Sequence, residues 1–127
     1  VIMKNERKKY LFSEEERLDM IMHACAHLDN VECEIGSGLT VRYAKEKNAC
    51  AMIRGIRAVI DYEYELQIAT ANMMLDENIE TIFFMAKPEY SFVSSSTVKE
   101  IASFHENVDK YVDAYTAEKL KAKFNHE

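Results

Sequence analysis

The chain has 127 residues, of which 48% are hydrophobic and 30% charged, a balance that predicts one globular domain over residues 1–127. Its longest apolar runs, residues 49–53 and 82–86, are far shorter than the roughly 20 residues of a membrane-spanning helix. With 16 basic and 22 acidic residues the net charge is −6, so neither nucleic acid nor a membrane surface is an expected partner. Three cysteines without a CxxC pair favour a reduced, cytoplasmic compartment.

The first half of the chain alternates between strand and helix patterns. Val1 to Met3 is typical of the end of a buried strand. Ser13 and Glu16 form a capping-box pattern, which predicts a helix over residues 14–28. The predicted elements that follow are a short half-exposed strand, a glycine-containing turn and a second helix, over residues 31–35, 36–38 and 39–47.

The second half continues this alternation. The apolar run at residues 49–53 predicts a strand at the centre of a parallel sheet, with helices covering both of its faces. Thr97 and Glu100 match another capping box, which predicts a helix that starts there. The other predicted elements are a long helix, a buried strand and a terminal amphipathic helix, over residues 61–75, 81–86 and 114–124. The alternation predicts an α/β fold in which helices flank a parallel sheet.

Three polar segments follow predicted strands, where α/β sheets bind ligands. Residues 4–9 contain four basic side chains, residues 54–57 read Arg-Gly-Ile-Arg, and residues 91–96 are rich in serine and precede a helix. The planar donor fork of arginine matches phosphate oxygens, and a glycine lets the backbone approach a ligand closely. Free amides at the start of a helix favour an anion. Together these segments predict a polyphosphate site.

Each of these features also has a purely structural interpretation. Arg54 and Arg57 could form ion pairs with acidic residues of the next helix, namely Asp61, Glu63 or Glu65. The serines at 94–96 could cap a helix, and residues 4–9 could be a solvated loop.

One further pair has the spacing of metal ligands. His23 and His27 lie four residues apart, with Cys25 between them, but the sequence places no third ligand nearby. A surface histidine pair is therefore favoured, and no metal-ligating residue is predicted. The sequence contains no P-loop, nucleophile-elbow or zincin motif.

Three segments carry a family resemblance: Ile-Arg-Gly-Ile-Arg-Ala-Val at residues 53–59, Asp-Tyr-Glu-Tyr-Glu-Leu-Gln at 61–67, and residues 90–100. In this order they resemble the phosphopantetheine adenylyltransferase family of bacterial coenzyme A enzymes. The resemblance implies a Rossmann-like nucleotidyltransferase fold and transfer of an adenylyl group from ATP to 4′-phosphopantetheine, which yields dephospho-coenzyme A and pyrophosphate. It also implies Mg²⁺ as a cofactor and a homo-oligomer, typically a hexamer.

The resemblance assigns expected roles to individual positions. Residues matching phosphopantetheine contacts are Lys8, Thr40 and Arg54. Residues matching ATP contacts are Gly55, Ile56, Arg57, Glu65, Tyr90, Ser91, Phe92, Val93, Ser94, Ser95 and Ser96.

Relatives begin with a strand, a glycine-containing loop and a helix that carries a T/S-F-D-P-x-x-x-G-H segment, and this sequence contains no such segment. The resemblance therefore implies a fold whose first strand and helix are missing, and it leaves the catalytic residues unknown. An inactive nucleotide-binding or assembly module is the alternative. An anionic acceptor phosphate can attack the α-phosphorus in line, so the reaction depends on positioning and charge stabilisation.

Overall fold

A computed structural model describes residues 1–125, and it divides them into two compact units. The central unit is Gly36–Phe92, and the terminal unit comprises the residues before Gly36 and those from Val93 onward. The strands are β1 (Ile2–Met3), β2 (Ile35–Gly36), β3 (Ala51–Ile56) and β4 (Glu80–Met85). The helices are α1 (Glu14–Cys25), α2 (Thr40–Glu46), α3 (Val59–Leu75), α4 (Ser95–Ser103) and α5 (Ala114–Phe124). The single domain predicted over residues 1–127 stays a prediction.

The central unit is a βαβ arrangement. Strands β3 and β4 pair in parallel, with Ala51 opposite Glu80 and Ile56 opposite Met85. Helix α3 connects the two strands and packs on both of them, while α2 packs on β3. The core residues of this unit are Val41, Ala44, Met52 and Ile79. This arrangement confirms the predicted α/β fold with parallel strands flanked by helices.

Strand β3 differs from its prediction in length and in coverage. It continues to Ile56, because Ala86 still donates a backbone hydrogen bond to Ile56 O at 2.8 Å. Met52 and Ile56 are buried, whereas Ile53 is 69% exposed. Successive strand residues point to opposite faces, and both α2 and α3 contact the face that carries Met52. Helical cover on both faces was therefore wrong for the residues that the structure describes.

The terminal unit joins helices to a minimal strand pair. Ile2 N donates to Glu34 O at 2.8 Å, and α5 packs against both α1 and α4. Its core residues are Val98, Ala102, Val108, Ala117 and Leu120. The strand predicted over residues 31–35 begins only at Ile35. A strand needs a hydrogen-bonded partner, and β1 has only two residues, so the pairing is short.

Two helix ends of the terminal unit also differ from their predictions. Helix α1 ends at Cys25, because Leu28 N donates to Cys25 O in the turn that follows. Helix α4 begins at Ser95, and its N-cap is Ser94, whose hydroxyl accepts from Thr97 N at 3.1 Å. The capping box predicted at Thr97 was therefore wrong: Thr97 is already inside the helix. The capping interpretation of the serine segment is confirmed at Ser94.

Replacing Ser94 with alanine is expected to lower the free energy of unfolding by about 1 kcal/mol, because Thr97 N loses its acceptor at the helix start. Urea denaturation followed by circular dichroism measures this loss. Ser96→Ala is the matched control, since Ser96 is exposed and its replacement should change stability by less than about 0.5 kcal/mol. Equal losses in the two variants would contradict the cap.

A polar cluster connects α1 to α5. Tyr115 OH donates to Asp19 Oδ2 at 2.5 Å, and the Tyr115 ring stacks on the His23 ring with centroids 3.8 Å apart. Lys119 Nζ lies 3.8 Å from the same carboxylate oxygen. The hydrogen bond from Tyr115 lowers the pKa of Asp19, and the charges of His23 and Lys119 add to that effect. His23 thus takes part in a helix–helix contact.

The lowered pKa of Asp19 makes this contact dependent on pH. A carboxyl with a depressed folded-state pKa stabilises the fold above its unfolded-state pKa, and this contribution is lost as the pH falls through the folded value. Tyr115→Phe is therefore expected to lower the thermal midpoint at pH 7, with a difference from the parent chain that shrinks below about pH 4. Differential scanning calorimetry at pH 7 and at a pH below about 4 tests this. Tyr90→Phe, at an exposed tyrosine, is the control. A difference independent of pH would contradict the role of Asp19.

None of the helices within residues 1–125 has the length and apolar character needed to cross a bilayer.

Candidate functional site

A small cavity in the central unit lies where α2, β3, α3 and β4 meet. Its volume is about 20 Å³, which is close to the space that one water molecule occupies. The lining residues are Thr40, Met52, Arg54, Glu65, Ile68, Ala69, Asn72 and Thr81. The cavity thus brings together three of the residues predicted to contact ligands: Thr40, Arg54 and Glu65.

Arg54 and Glu65 form a bidentate ion pair at this cavity. Arg54 Nε donates to Glu65 Oε2 at 2.6 Å, and Nη2 donates to Oε1 at 2.8 Å. The Glu65 side chain is only 14% exposed, whereas that of Arg54 is 40% exposed. The hydrogen bonds that Arg54 donates to the Glu65 carboxylate raise the pKa of Arg54, although partial burial opposes this effect. The pair fixes the plane of a guanidinium that keeps further N–H donors.

The ion-pair interpretation is therefore confirmed for Arg54, and it is compatible with anion binding. A guanidinium held by one carboxylate is preorganised, so a phosphate that reaches it does not have to order the side chain. Arg54 was expected to follow the central strand, together with Gly55 and Ile56, but all three lie within β3. The strand extends this far because Arg54 aligns with Phe83 and Gly55 with Phe84 of β4.

Sequence reasoning missed two polar residues of the cavity, Asn72 and Thr81. Asn72 lies seven positions after Glu65 on α3, a spacing that returns to the same helix face, and this signal could have found it. Thr81 stands opposite Met52 in the strand register. Its Oγ1 is buried without a hydrogen-bond partner among the described residues. A buried hydroxyl of this kind costs about 1–3 kcal/mol, so a polar group entering the cavity would gain by pairing with it.

Arg57 follows β3 directly and pairs with the first turn of α3. Its Nε lies 3.2 Å from Asp61 Oδ2, and its backbone N donates to the same oxygen, also at 3.2 Å. This confirms the ion-pair interpretation for Arg57 as well. Ile56 is 7% exposed, and its carbonyl oxygen already accepts a hydrogen bond from Ala86 N, so contact of Ile56 with ATP stays a prediction. A Cβ placed on Gly55 would meet nothing within 4 Å, so packing within the chain does not require glycine there.

The predicted ATP segment, residues 90–96, runs from a 3-10 turn at Pro88–Tyr90 into α4. Its side chains divide by environment. Exposed side chains are those of Tyr90, Ser91, Phe92, Ser95 and Ser96. Ser91 Oγ donates to Pro88 O at 2.9 Å, and Val93 packs against the core of the terminal unit. Contact of this segment with ATP stays a prediction.

Lys8 belongs to the terminal unit, whereas Thr40 and Arg54 belong to the central unit. Lys8 is exposed in the loop before α1, where it lines an open groove of about 490 Å³ together with Lys4 and Arg17. The Arg17 guanidinium lies 3.9 Å above the centre of the Tyr10 ring. A role for Lys8 in binding phosphopantetheine stays a prediction.

A comparison with protein-family models identifies the family of this chain. The model of the cytidylyltransferase-like family matches residues 1–101, a span that runs from β1 into α4. The chain belongs to the cytidylyltransferase-like family. The membership confirms the predicted Rossmann-like α/β fold and supports nucleotidyl transfer as the general chemistry.

A cytidylyltransferase-like protein has to stabilise negative charge on the phosphate groups of its substrates during the reaction. Nucleotidyl transfer moves negative charge among phosphate oxygens, and fixed cationic donors stabilise that charge without reorganising. Arg54, within β3, and Arg57, directly after it, are each held in place by a carboxylate of α3. The cytidylyltransferase-like domain therefore presents two oriented guanidinium groups in the second half of β3 and directly after it, close to the carboxyl end at which α/β sheets bind ligands.

Proposed function

We propose that this cytidylyltransferase-like chain transfers an adenylyl group from ATP to 4′-phosphopantetheine, which yields dephospho-coenzyme A and pyrophosphate. The supporting observation is the bidentate Arg54–Glu65 pair at a cavity that also contains Thr40. The general chemistry follows from the family. The choice of these two substrates rests on the resemblance carried by residues 53–59, 61–67 and 90–100.

In this proposal, a phosphate oxygen of 4′-phosphopantetheine attacks the α-phosphorus of ATP in line, and pyrophosphate leaves. Arg54 binds the phosphate of the acceptor, and Thr40 lines the pocket of the acceptor. Arg57 holds a phosphate of ATP. No protein nucleophile is needed, because the acceptor phosphate is already anionic and positioning accounts for much of the rate.

Mg²⁺ enters this reaction with ATP as part of the substrate complex. Within residues 1–125, no group of three or more His, Cys, Asp or Glu side chains is placed to hold a metal ion. Mg²⁺ usually keeps several waters and binds substrate phosphates in enzymes of this chemistry. Bound to ATP, Mg²⁺ would supply positive charge that offsets the charge of the phosphates during transfer.

The test is a substrate matrix with pyrophosphate release as the readout. ATP and CTP are each combined with 4′-phosphopantetheine, with pantetheine lacking the phosphate, and with no acceptor. We expect pyrophosphate only from ATP with 4′-phosphopantetheine, together with dephospho-coenzyme A identified by mass. Release of pyrophosphate in the reactions with CTP, and not in those with ATP, would overturn the choice of nucleotide. ATP binding without pyrophosphate in any combination would instead support a nucleotide-binding module that lacks the chemistry.

We also propose that the chain acts as a homo-oligomer, with α3 in the contact between copies. Val59, Ile60 and Met74 of α3 are 75%, 79% and 85% exposed. Exposed apolar side chains that lie next to one another commonly mark protein–protein contacts, as Val59 and Ile60 do at the start of α3 and Met73 and Met74 at its end. Multi-angle light scattering should give a molar mass that is a multiple of the chain mass, the resemblance pointing to six copies, and Ile60→Glu should lower it. A monomer at all concentrations would contradict the proposal.

A further inference from the structure

Two cysteines meet in the terminal unit, at the connection between α1 and β2. Cys25 is the last residue of α1, and Cys33 lies two residues before β2. Burial raises the pKa of the Cys33 thiol, and the neighbouring Cys25 thiol raises it further. Both residues are partly exposed, and both line an open groove of about 440 Å³ together with Met22, Leu28 and Val31. The two thiols thus share one groove that is open to solvent.

We propose that Cys25 and Cys33 form a reversible intramolecular disulfide, with a small-molecule disulfide such as oxidised glutathione as the oxidant. The Cys25 thiolate attacks one sulfur of the oxidant, which forms a mixed disulfide and releases one glutathione thiolate. The Cys33 thiolate then attacks the Cys25 sulfur and releases the second glutathione. The protein loses two hydrogen atoms and two sulfur–hydrogen bonds, and one oxidant disulfide is reduced to two thiols.

The environment of Cys33 suits it to the second step. Burial and the neighbouring Cys25 thiol raise the pKa of Cys33, so its thiolate forms less readily than that of an ordinary cysteine. The attack that closes an intramolecular disulfide tolerates this, because both thiols line one groove and their effective concentration is therefore high. The disulfide would tie the end of α1 to the residue beside Glu34, whose carbonyl accepts the hydrogen bond from Ile2 N.

The third cysteine provides an internal control. Cys50 is exposed and belongs to the central unit. A general reactivity of exposed thiols would modify Cys50 first, whereas the proposed pair spares it. Proteolysis can place the three cysteines on three different peptides. Asp29 lies between Cys25 and Cys33, and Arg42 lies between Cys33 and Cys50.

The experiment treats the folded full chain with oxidised glutathione and counts free thiols before and after. The chain has three cysteines, so we expect the titratable thiols to fall from three to one and to return to three with dithiothreitol. Digestion with trypsin and a protease that cleaves before aspartate should then yield peptides 19–28 and 29–42 joined by a disulfide. Cys50→Ser should leave this reaction unchanged, and Cys33→Ser should abolish it.

Three results would overturn the proposal. These are three titratable thiols after oxidation, a stable glutathione adduct on Cys25 that Cys33 does not displace, and a disulfide that includes Cys50. Mapping the parent chain itself keeps the test decisive even where Cys33→Ser does not fold. The proposal is independent of the proposed adenylyl transfer, because its readout is the thiol count and not activity.

Discussion

Arg54→Ala is expected to lower kcat/KM for 4′-phosphopantetheine by about 10²- to 10³-fold, the loss typical of removing one fixed donor from a charge-stabilising site. Arg54 lines the cavity, and two hydrogen bonds to Glu65 hold its guanidinium group in a fixed orientation. Arg54→Lys should recover only part of the rate, because a lysine keeps the charge but loses the planar fork. Initial rates of pyrophosphate release, with each substrate varied in turn, measure both effects.

Arg54→Ala also leaves the poorly exposed Glu65 carboxylate without its counter-charge, so folding must be checked independently of rate. Circular dichroism spectra and thermal midpoints of the parent and the variant separate loss of fold from loss of chemistry. The double variant with Glu65→Gln removes both charges and should recover the thermal midpoint without recovering the rate. Arg42→Ala, at an exposed position on α2, is the matched control and should keep the parent rate. A folded Arg54→Ala variant with the parent rate would refute the proposed role.

Leu120→Ala is expected to lower the free energy of unfolding by about 2–5 kcal/mol, through lost burial and the cavity that the substitution leaves. Leu120 is 3% exposed on α5 and belongs to the core of the terminal unit with Val98, Ala102 and Val108. Domains of this size are stable by only about 5–15 kcal/mol, so the variant is expected to unfold at much lower urea. The chain has no tryptophan, so circular dichroism is the suitable probe.

The control for Leu120 is the same substitution at an exposed leucine within a helix. Leu66 of α3 is 43% exposed, and Leu66→Ala should cost less than about half of the Leu120 loss, because less apolar surface leaves water on folding. Both variants are compared at the same low protein concentration, so that association of the chain does not alter the result. Equal losses would show that Leu120 does not lie in a packed core.

Much of the fold was predictable because hydrophobic period is a local property. Helices α2, α3 and α5 and strand β4 lie within two residues of their predicted bounds. The errors occurred where a partner distant in the chain sets the boundary. Strand β2 is short because β1 is short, and β3 is long because β4 pairs with it through Met85. Helix α4 starts early because Ser94, and not Thr97, accepts the capping hydrogen bond.

In the candidate site, too, the sequence predicted which residues take part, whereas their contacts depend on packing. Residue type and the family resemblance were enough to select Thr40, Arg54 and Glu65, since arginine donors and a neighbouring acidic helix are visible in the sequence. That these three side chains share one cavity, and that Glu65 rather than Glu63 pairs with Arg54, depends on how α3 packs on β3. The orphaned Thr81 hydroxyl depends on the register of β3 and β4.

By itself, the sequence determined the kind of protein: an α/β chain with parallel strands, with the motifs of a nucleotidyltransferase. These features depend on the spacing of hydrophobic residues and on residue chemistry, both of which can be read from short stretches of sequence. Only the tertiary structure decided which charges pair, where strands end and which thiols meet. Each of these is set by a partner distant in the chain: Glu65 for Arg54, β4 for β3, and Cys33 across a loop for Cys25. Such contacts form when elements pack, and no local pattern specifies the packing.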